Sequence, residues 1–378
     1  MHCGIEFEYL LIDLGGATPA RLRDFSNLPF EQISAWLEDK PGRDDAELAT
    51  GDLGIKRGYW YLEGNERFHD DGRFRTLDVK GVEIRTPPAA DVETALQRLV
   101  AIETQLSAAL ARHGLGLAIT AFNPVRAPYA YDPPLNAWEA AMRAEHRAYD
   151  GSHISTLSYG PDINLSMPGW SNAQCLDAAR KLHHYAPWIV PFSFASPFAH
   201  GQRWPGWSKR TFERAPLRPA VKLYLAADAL AAAPLDTTLA HPARIAHEVG
   251  RIEFKAFDAM PDFAVLRGCC HLLVGLCLAE DLRAHRECSD VEAVDVALYQ
   301  RAARLGFADP QLRAGAEPLL ASARAALLAS GDAVGAQALA PLAALLHAER
   351  TPAHAMVAQW QAGGPMFRPG GFAQSNAP

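Results

Sequence analysis

Charged residues two positions apart recur on the apolar stretches of this chain. "GIEFEYLLID" (4–13) carries Glu6 and Glu8, and "GVEIRTPP" (81–88) carries Glu83 and Arg85. "PDINLSMP" (161–168) carries Asp162, Asn164 and Ser166, and "RIEFKAFDAMP" (251–261) carries Glu253 and Lys255. A strand alternates faces with a period of two, so each set points one way and the apolar residues between point the other. One such strand alone is ordinarily a salt bridge on a solvated face, worth little. Four together, if they neighbour each other in a sheet, converge on a floor holding Glu6, Glu8, Glu83, Asp162 and Glu253, with Arg85 and Lys255 among them. Clustered carboxylates repel unless divalent ions occupy the space between them. Oxygen ligands without a histidine or cysteine set select Mg²⁺ or Mn²⁺ over zinc. The basic neighbours then suit the phosphates of a nucleotide, which Mg²⁺ ordinarily accompanies.

The elements that position these residues follow from periodicity and punctuation. Residues 1–90 are predicted to be β-rich, with a helical insert at "PFEQISAWLED" (29–39) and strands at 54–64, 66–74 and 80–88, the last stopped by a double proline. The aromatic, charged hairpin 54–74 is expected over the mouth of the site or packed beside it. Residues 91–261 are mixed. Asp91 caps a helix over 91–114, "LGLAITAFNP" (115–124) is a buried strand, and 136–149 is a second helix. "SNAQCLDAARKLHHYAPWIVPFSFASPF" (171–198) is a capped helix running into a buried apolar segment. From 262 to 361 the chain is helical and rich in Ala and Leu, and 362–378 has the makeup of a disordered tail. A single domain over 1–361, α+β, with helices packed on an antiparallel or mixed sheet, is the expected architecture.

Composition narrows the function. The net charge of −7 and pI near 6.1, with no dense Lys/Arg cluster, argue against a nucleic-acid partner. The most apolar run, "CCHLLVGLCLA" (269–279), is too short to span a bilayer, and no leader pattern opens the chain, so no membrane partner and a cytoplasmic location are expected. The six cysteines contain no CxxC pair and are expected to be reduced core thiols. Neither a GxSxG elbow, a Cys-His nucleophile signature nor a Gly-rich phosphate loop is present. His153, His183 and His184 lack ligand spacing and enter no site, and the loop "QRWPGWSK" (202–209) is expected to pack on its own domain.

The ordered set "GIEFEYLLID", "GVEIRTPP", "DINLSMP", "SPFAHG" with "SKRTFER", and "RIEFKAFDAMP", spread over roughly 4–305, resembles the glutamate-cysteine ligase family, especially its second class of bacterial carboxylate-amine ligases. The resemblance implies a glutamine synthetase/guanidino kinase-like fold, in which a curved, mainly antiparallel sheet forms an open half-barrel whose concave face binds ATP and metal. It also implies a reaction: ATP phosphorylates the side-chain carboxylate of glutamate, and an amine, by default that of cysteine, displaces phosphate. Carried onto this chain, Glu6, Glu8, Glu83 and Glu253 resemble the metal ligands, and Lys255 stands where relatives carry an arginine on the transferred phosphate. Arg210 and Arg214 resemble the carboxylate- or phosphate-holding residues after "SPF"; Tyr299, Arg301 and Arg304 resemble a helical motif near the site. Arg85 and Asn164 are expected to contact substrate or nucleotide. Asp162 departs from the histidine common on that strand, and Asp78 is the nearest candidate for the acid expected before Glu83. A different acceptor amine, or a non-catalytic nucleotide-binding scaffold, are the alternative readings. Homo-oligomer formation is left open.

Overall fold

The computed structural model describes residues 1–15, 20–45, 48, 56–126, 128–145, 152–232, 239–282 and 295–373. Cys288, residues 54 and 55 of the hairpin, residues 146–149 of the second helix and residues 374–378 lie outside these, as does the side chain of His153. The strands are β1 (His2–Asp13), β2 (Leu22–Arg23), β3 (Trp60–Phe68), β4 (Phe74–Arg85), β5 (Leu115–Ile119) and β6 (Pro161–Ser166). They continue with β7 (Phe198–Ala199), β8 (Gln202–Arg203), β9 (Val221–Leu225), β10 (Ala240–Pro242), β11 (Ile252–Phe254) and β12 (Arg368–Pro369). The helices in the first half are α1 (Phe30–Trp36), α2 (Val92–Ala111), α3 (Ala137–Glu145), α4 (Ser152–Leu157) and α5 (Asn172–Ile189). Then come α6 (Lys209–Arg214), α7 (Ala227–Ala232), α8 (Phe263–Leu278), α9 (Val296–Leu305), α10 (Pro310–Ala329), α11 (Ala333–Ala338), α12 (Ala340–His347) and α13 (Pro352–Gln361).

β1 is central because one of its faces is apolar throughout: Ile5, Phe7, Tyr9 and Leu11 are fully buried. Its first part pairs with β6 on one side and β4 on the other, giving the order β10-β9-β11-β6-β1-β4-β3. All these pairs are antiparallel except β9 with β10. From Leu10 onward β1 leaves those partners and pairs with β5 and β2. That change of partners explains why Glu6 and Glu8 share a strand face with buried Leu10 and Ile12: the polar half serves the main sheet, and the apolar half the branch. The curled sheet is covered by helices, as the half-barrel expectation requires.

Helix ends sit where side chains can accept the orphan N–H groups. Asp91 caps α2 through the Thr94 N–H, Ser171 and Gln174 form a capping box at α5, and Asp262 accepts the Ala264 and Val265 N–H groups at α8. α8 is apolar nearly all round and lies in the middle of the helical part, against α5 and α10. Among the described residues no helix is long and apolar enough to cross a membrane. The five described cysteines are free and buried. Trp207 stacks on His354 at 3.6 Å, so the Trp-rich loop packs on its own chain.

Three expectations about elements change. β4 starts at Phe74, and the segment 66–74 divides between β3 and β4 to form one long hairpin. β11 ends at Phe254, because the Lys255 N–H turns to the Ala220 carbonyl and Asp258 plunges inward to accept from the Ala195 N–H and the Ser196 and Ser208 hydroxyls. The expected disordered tail is, as far as Ala373, packed: β12 pairs with β5, and Phe367 and Phe372 are buried. Glu103 on α2 holds it, accepting from the Phe372 N–H at 2.9 Å, the Ala373 N–H at 2.6 Å and the Tyr9 hydroxyl at 2.6 Å. Glycine and proline set the turns here, while two phenylalanines and a buried acceptor supply the docking energy.

Candidate active site

Register decides which charges meet. Glu6 lies opposite Asp162 on one side and Arg85 on the other; Glu8 faces Glu83, and Glu83 faces Tyr61. On the far side Glu253 lies between Asn164 and Lys222. Over this floor opens a cavity of about 340 Å³, lined on its acidic side by Glu6, Glu8, Glu63, Glu83, Asp162 and Glu253. Two sets of carboxylate oxygens, Glu6 with Glu83 and Asp162, and Glu8 with Glu63 and Glu83, each lie within 4.8 Å of one another. Glu83 belongs to both.

Glu63 comes from a break in the hairpin. β3 and β4 slip register between Glu63 and Gly64, a β-bulge of the kind that re-aims a side chain. A Cβ on Gly64 would stand 2.1 Å from the Asp78 carbonyl oxygen, so only glycine allows the strands to approach this closely. Asp78 itself is held elsewhere, by the Tyr129 hydroxyl and Arg67. Glu63, not Asp78, is the acid beside Glu83.

The electrostatics are those of an unbalanced cluster. Burial, then the charges of Glu63, Glu6, Glu8 and Asp162, push the Glu83 carboxyl well above its usual range. Glu6 is raised by burial and by Asp162 and Glu253. Glu63 is the exception: burial would raise it, yet Lys56 and Lys80 outweigh that and hold it at about 2. Glu8 accepts from Lys80 and from the Gly160 N–H at 2.8 Å. Closely set, all-oxygen, excess negative charge is the donor chemistry of a hard divalent cation, so both triads fit Mg²⁺ or Mn²⁺.

The other expected residues divide. Lys255 spans Asp162 and Glu253, which hold it protonated against the effect of burial. Glu253 joins neither triad; it accepts from Lys255 and from the Tyr224 hydroxyl at 2.7 Å, with Arg251 at 3.4 Å, and against burial Lys255, Lys222 and Arg251 keep it below the usual range. Asn164 accepts from Arg251. Arg85 lines the cavity but donates to the Gly58 carbonyl at 2.9 Å and the Lys56 carbonyl at 3.2 Å. Arg210 is likewise spent on backbone, donating to the carbonyls of Lys255, Ala256 and Phe257 at 3.0, 3.1 and 2.7 Å, which fixes the turn after β11. Arg214 is buried in the cavity wall, where burial and its neighbours Arg210 and Arg218 push it down to about 9. Arg304 lies outside the lining, over the Phe212 ring at 4.7 Å, and Arg301 pairs with Asp309. Tyr299 is buried behind Arg214. Unread in the sequence are Glu63, Lys56, Lys80, Arg218 and Lys222, all in the cavity wall.

Residues 3–217, more than half of the chain, match glutamate-cysteine ligase family 2. The chain belongs to that family. A curated relative, the glutamate–cysteine ligase EgtA of Mycobacterium tuberculosis, is 29% identical over 131 residues, covering 33% of this chain and 29% of that protein. The chain thus matches less than a third of that relative's length. The bifunctional glutathione synthetase from Pasteurella multocida shares the fold, with a TM-score of 0.58 and 14% identity, over 97% of this chain and 50% of that one.

Proposed function

We propose that this family 2 chain is an ATP-dependent carboxylate-amine ligase that joins the side-chain carboxylate of glutamate to an amine. One observation carries the reading: two carboxylate triads sharing Glu83 lie in the same cavity as a cationic wall of Arg214, Arg218, Lys222 and Lys255. Phosphorylating a carboxylate brings two anions together, and a site with separate negative and positive ends is built for that task. Glu6, Glu83 and Asp162, and Glu8, Glu63 and Glu83, are the residues that would hold Mg²⁺ or Mn²⁺. The chemistry such a cation would supply is charge neutralisation at the ATP phosphates.

The chain's own residues do the rest. Lys255, fixed between Asp162 and Glu253, keeps its positive charge and offsets the charge on the transferred phosphoryl group. A glutamate side-chain oxygen bonds to the γ-phosphorus as ADP leaves with the electrons of the broken bond. The amine nitrogen then bonds to the acyl carbon, phosphate leaves, and the amine proton is released. No enzyme nucleophile is needed, which agrees with the sequence.

Cysteine is the default acceptor. Asp162 favours weighing a second, because an acid within a triad replaces the histidine that the family resemblance leads one to expect there. ADP release from ATP, Mg²⁺ and glutamate, measured across a panel of amines, tests both. Release that requires glutamate and one amine is expected. A faster rate with an amine other than cysteine selects the second reading, and the absence of glutamate-dependent release with every amine overturns the proposal.

A further inference from the structure

The helical C-terminal part carries a groove of its own. α10, α11 and α12 enclose about 760 Å³ of open space, and none of the lining residues belongs to the cavity that holds the triads. One face of α10 is committed to the core: Leu312, Ala316, Leu319, Ala323 and Leu327 are buried, and the helix packs on α8. A second face, made of Arg313, Glu317, Leu320, Ala321, Arg324 and Leu328, lines the groove. Leu328 is 46% exposed there, and Val334, next to groove-lining Ala333, is 52% exposed. An apolar floor that ends in two water-facing branched side chains gains by being covered.

The charges on α10 indicate what covers it. Glu317 and Arg324 are exposed, and neither has a hydrogen-bond or ion-pair partner among the described residues. Two helical turns separate them, so they stand on one face about 10 Å apart. The six groove positions of α10 are symmetric about the midpoint between Leu320 and Ala321. Laid antiparallel on a second α10 with a twofold axis through that midpoint, Glu317 meets the partner's Arg324, and Arg324 meets the partner's Glu317. Leu320 falls opposite the partner's Ala321, a large residue against a small one, which lets the helices approach closely. Leu328 falls on the stem of the partner's Arg313. A twofold interface requires a patch to complement itself, and an acid and a base placed symmetrically about its centre do so. We propose that this groove is the interface through which two copies of the chain pair, α10 against α10. Fifteen residues line it, fewer than the roughly 20–30 a side of a standard interface, so association in the micromolar range is expected.

Sedimentation velocity of the full chain, run from about 1 to about 200 μM, reads the association. The mass is expected to rise across that range from one chain, 41.1 kDa, toward twice that value. E317R sets two cations opposite each other on both sides of the axis, and R324E does the same with acids. Each single reversal is expected to weaken the dimer by about 10- to 100-fold. The double reversal E317R/R324E rebuilds both pairs in the opposite sense and should return the dissociation constant to within about threefold of wild type. These are exposed positions, so melting midpoints should stay near that of wild type. L328E, which puts a charge into the apolar contact, is expected to weaken the dimer by the same range and serves if a reversal does not fold. A wild type that stays monomeric throughout, a dimer that the folded variants leave as tight, or a double reversal as weak as the singles overturns the inference. None of these outcomes bears on the ligase reading, because the groove shares no residue with the cavity of the triads.

Discussion

Replacing Glu83 by glutamine is expected to lower ADP release by on the order of a thousandfold while leaving the protein folded. No other side chain belongs to both triads, so its loss weakens both candidate ion positions at once. The stability effect should run the other way. Burial and four neighbouring carboxylates raise the Glu83 carboxyl, so the fold favours its neutral form and is penalised when pH rises through the raised value. Glutamine is permanently neutral and removes that penalty. Thermal melting in a metal-free buffer should therefore show E83Q at or above the wild-type midpoint. Added Mn²⁺ should stabilise the wild type and have little effect on the variant. A variant that melts early and loses activity would mark Glu83 as a packing residue.

The largest stability loss is expected at Arg67, far from the chemistry. The residue is 1% exposed and grips Glu139 with two donors, Nε at 2.9 Å and Nη2 at 3.2 Å, while Nη2 also reaches the Pro133 carbonyl at 2.8 Å. Glu139 in turn accepts from the Phe68 and Asn136 N–H groups. These bonds fasten α3 and the loop before it to the hairpin that carries Glu63. R67M leaves Glu139 buried and without its cation, at a cost of about 3–5 kcal/mol, read as a lower urea midpoint. Burial acts against the Glu139 charge, but Arg67 and the two N–H groups prevail and hold its carboxyl at about 2. The stability this brings is present above the ordinary carboxylate pKa and is lost as pH falls toward 2. Wild type and R67M should therefore converge in stability in acid. An unchanged midpoint at neutral pH would show that the pair contributes nothing net.

What was legible in the sequence was what strand periodicity controls. Glu6, Glu8, Glu83 and Asp162 each occupy one face of an apolar strand, and pairing across β1 needed only those strands to be neighbours. Glu63 was not legible, because it stands where the hairpin slips register and the period of two fails. Lys222 lies in the five-residue β9, too short for alternation to stand out between flanking turns. Arg210 and Arg304 were placed by resemblance alone, and what a guanidinium does depends on which carbonyls or rings lie within reach. Here these are the carbonyls of 255–257 for one and the Phe212 ring for the other. The packed end of the chain failed for a related reason: its anchor, Glu103, lies about 270 residues earlier, as the Ala373 bond records.

In the proposed reaction a glutamate oxygen attacks the γ-phosphorus of ATP in the cavity between the triads and the cationic wall. Glutamate carrying a heavy-oxygen label in its side-chain carboxylate tests it directly, with the preferred amine, ATP and Mg²⁺. The phosphate released is expected to carry one labelled oxygen per turnover, because the acyl–oxygen bond breaks when the amine attacks. Product formation with unlabelled phosphate would contradict it.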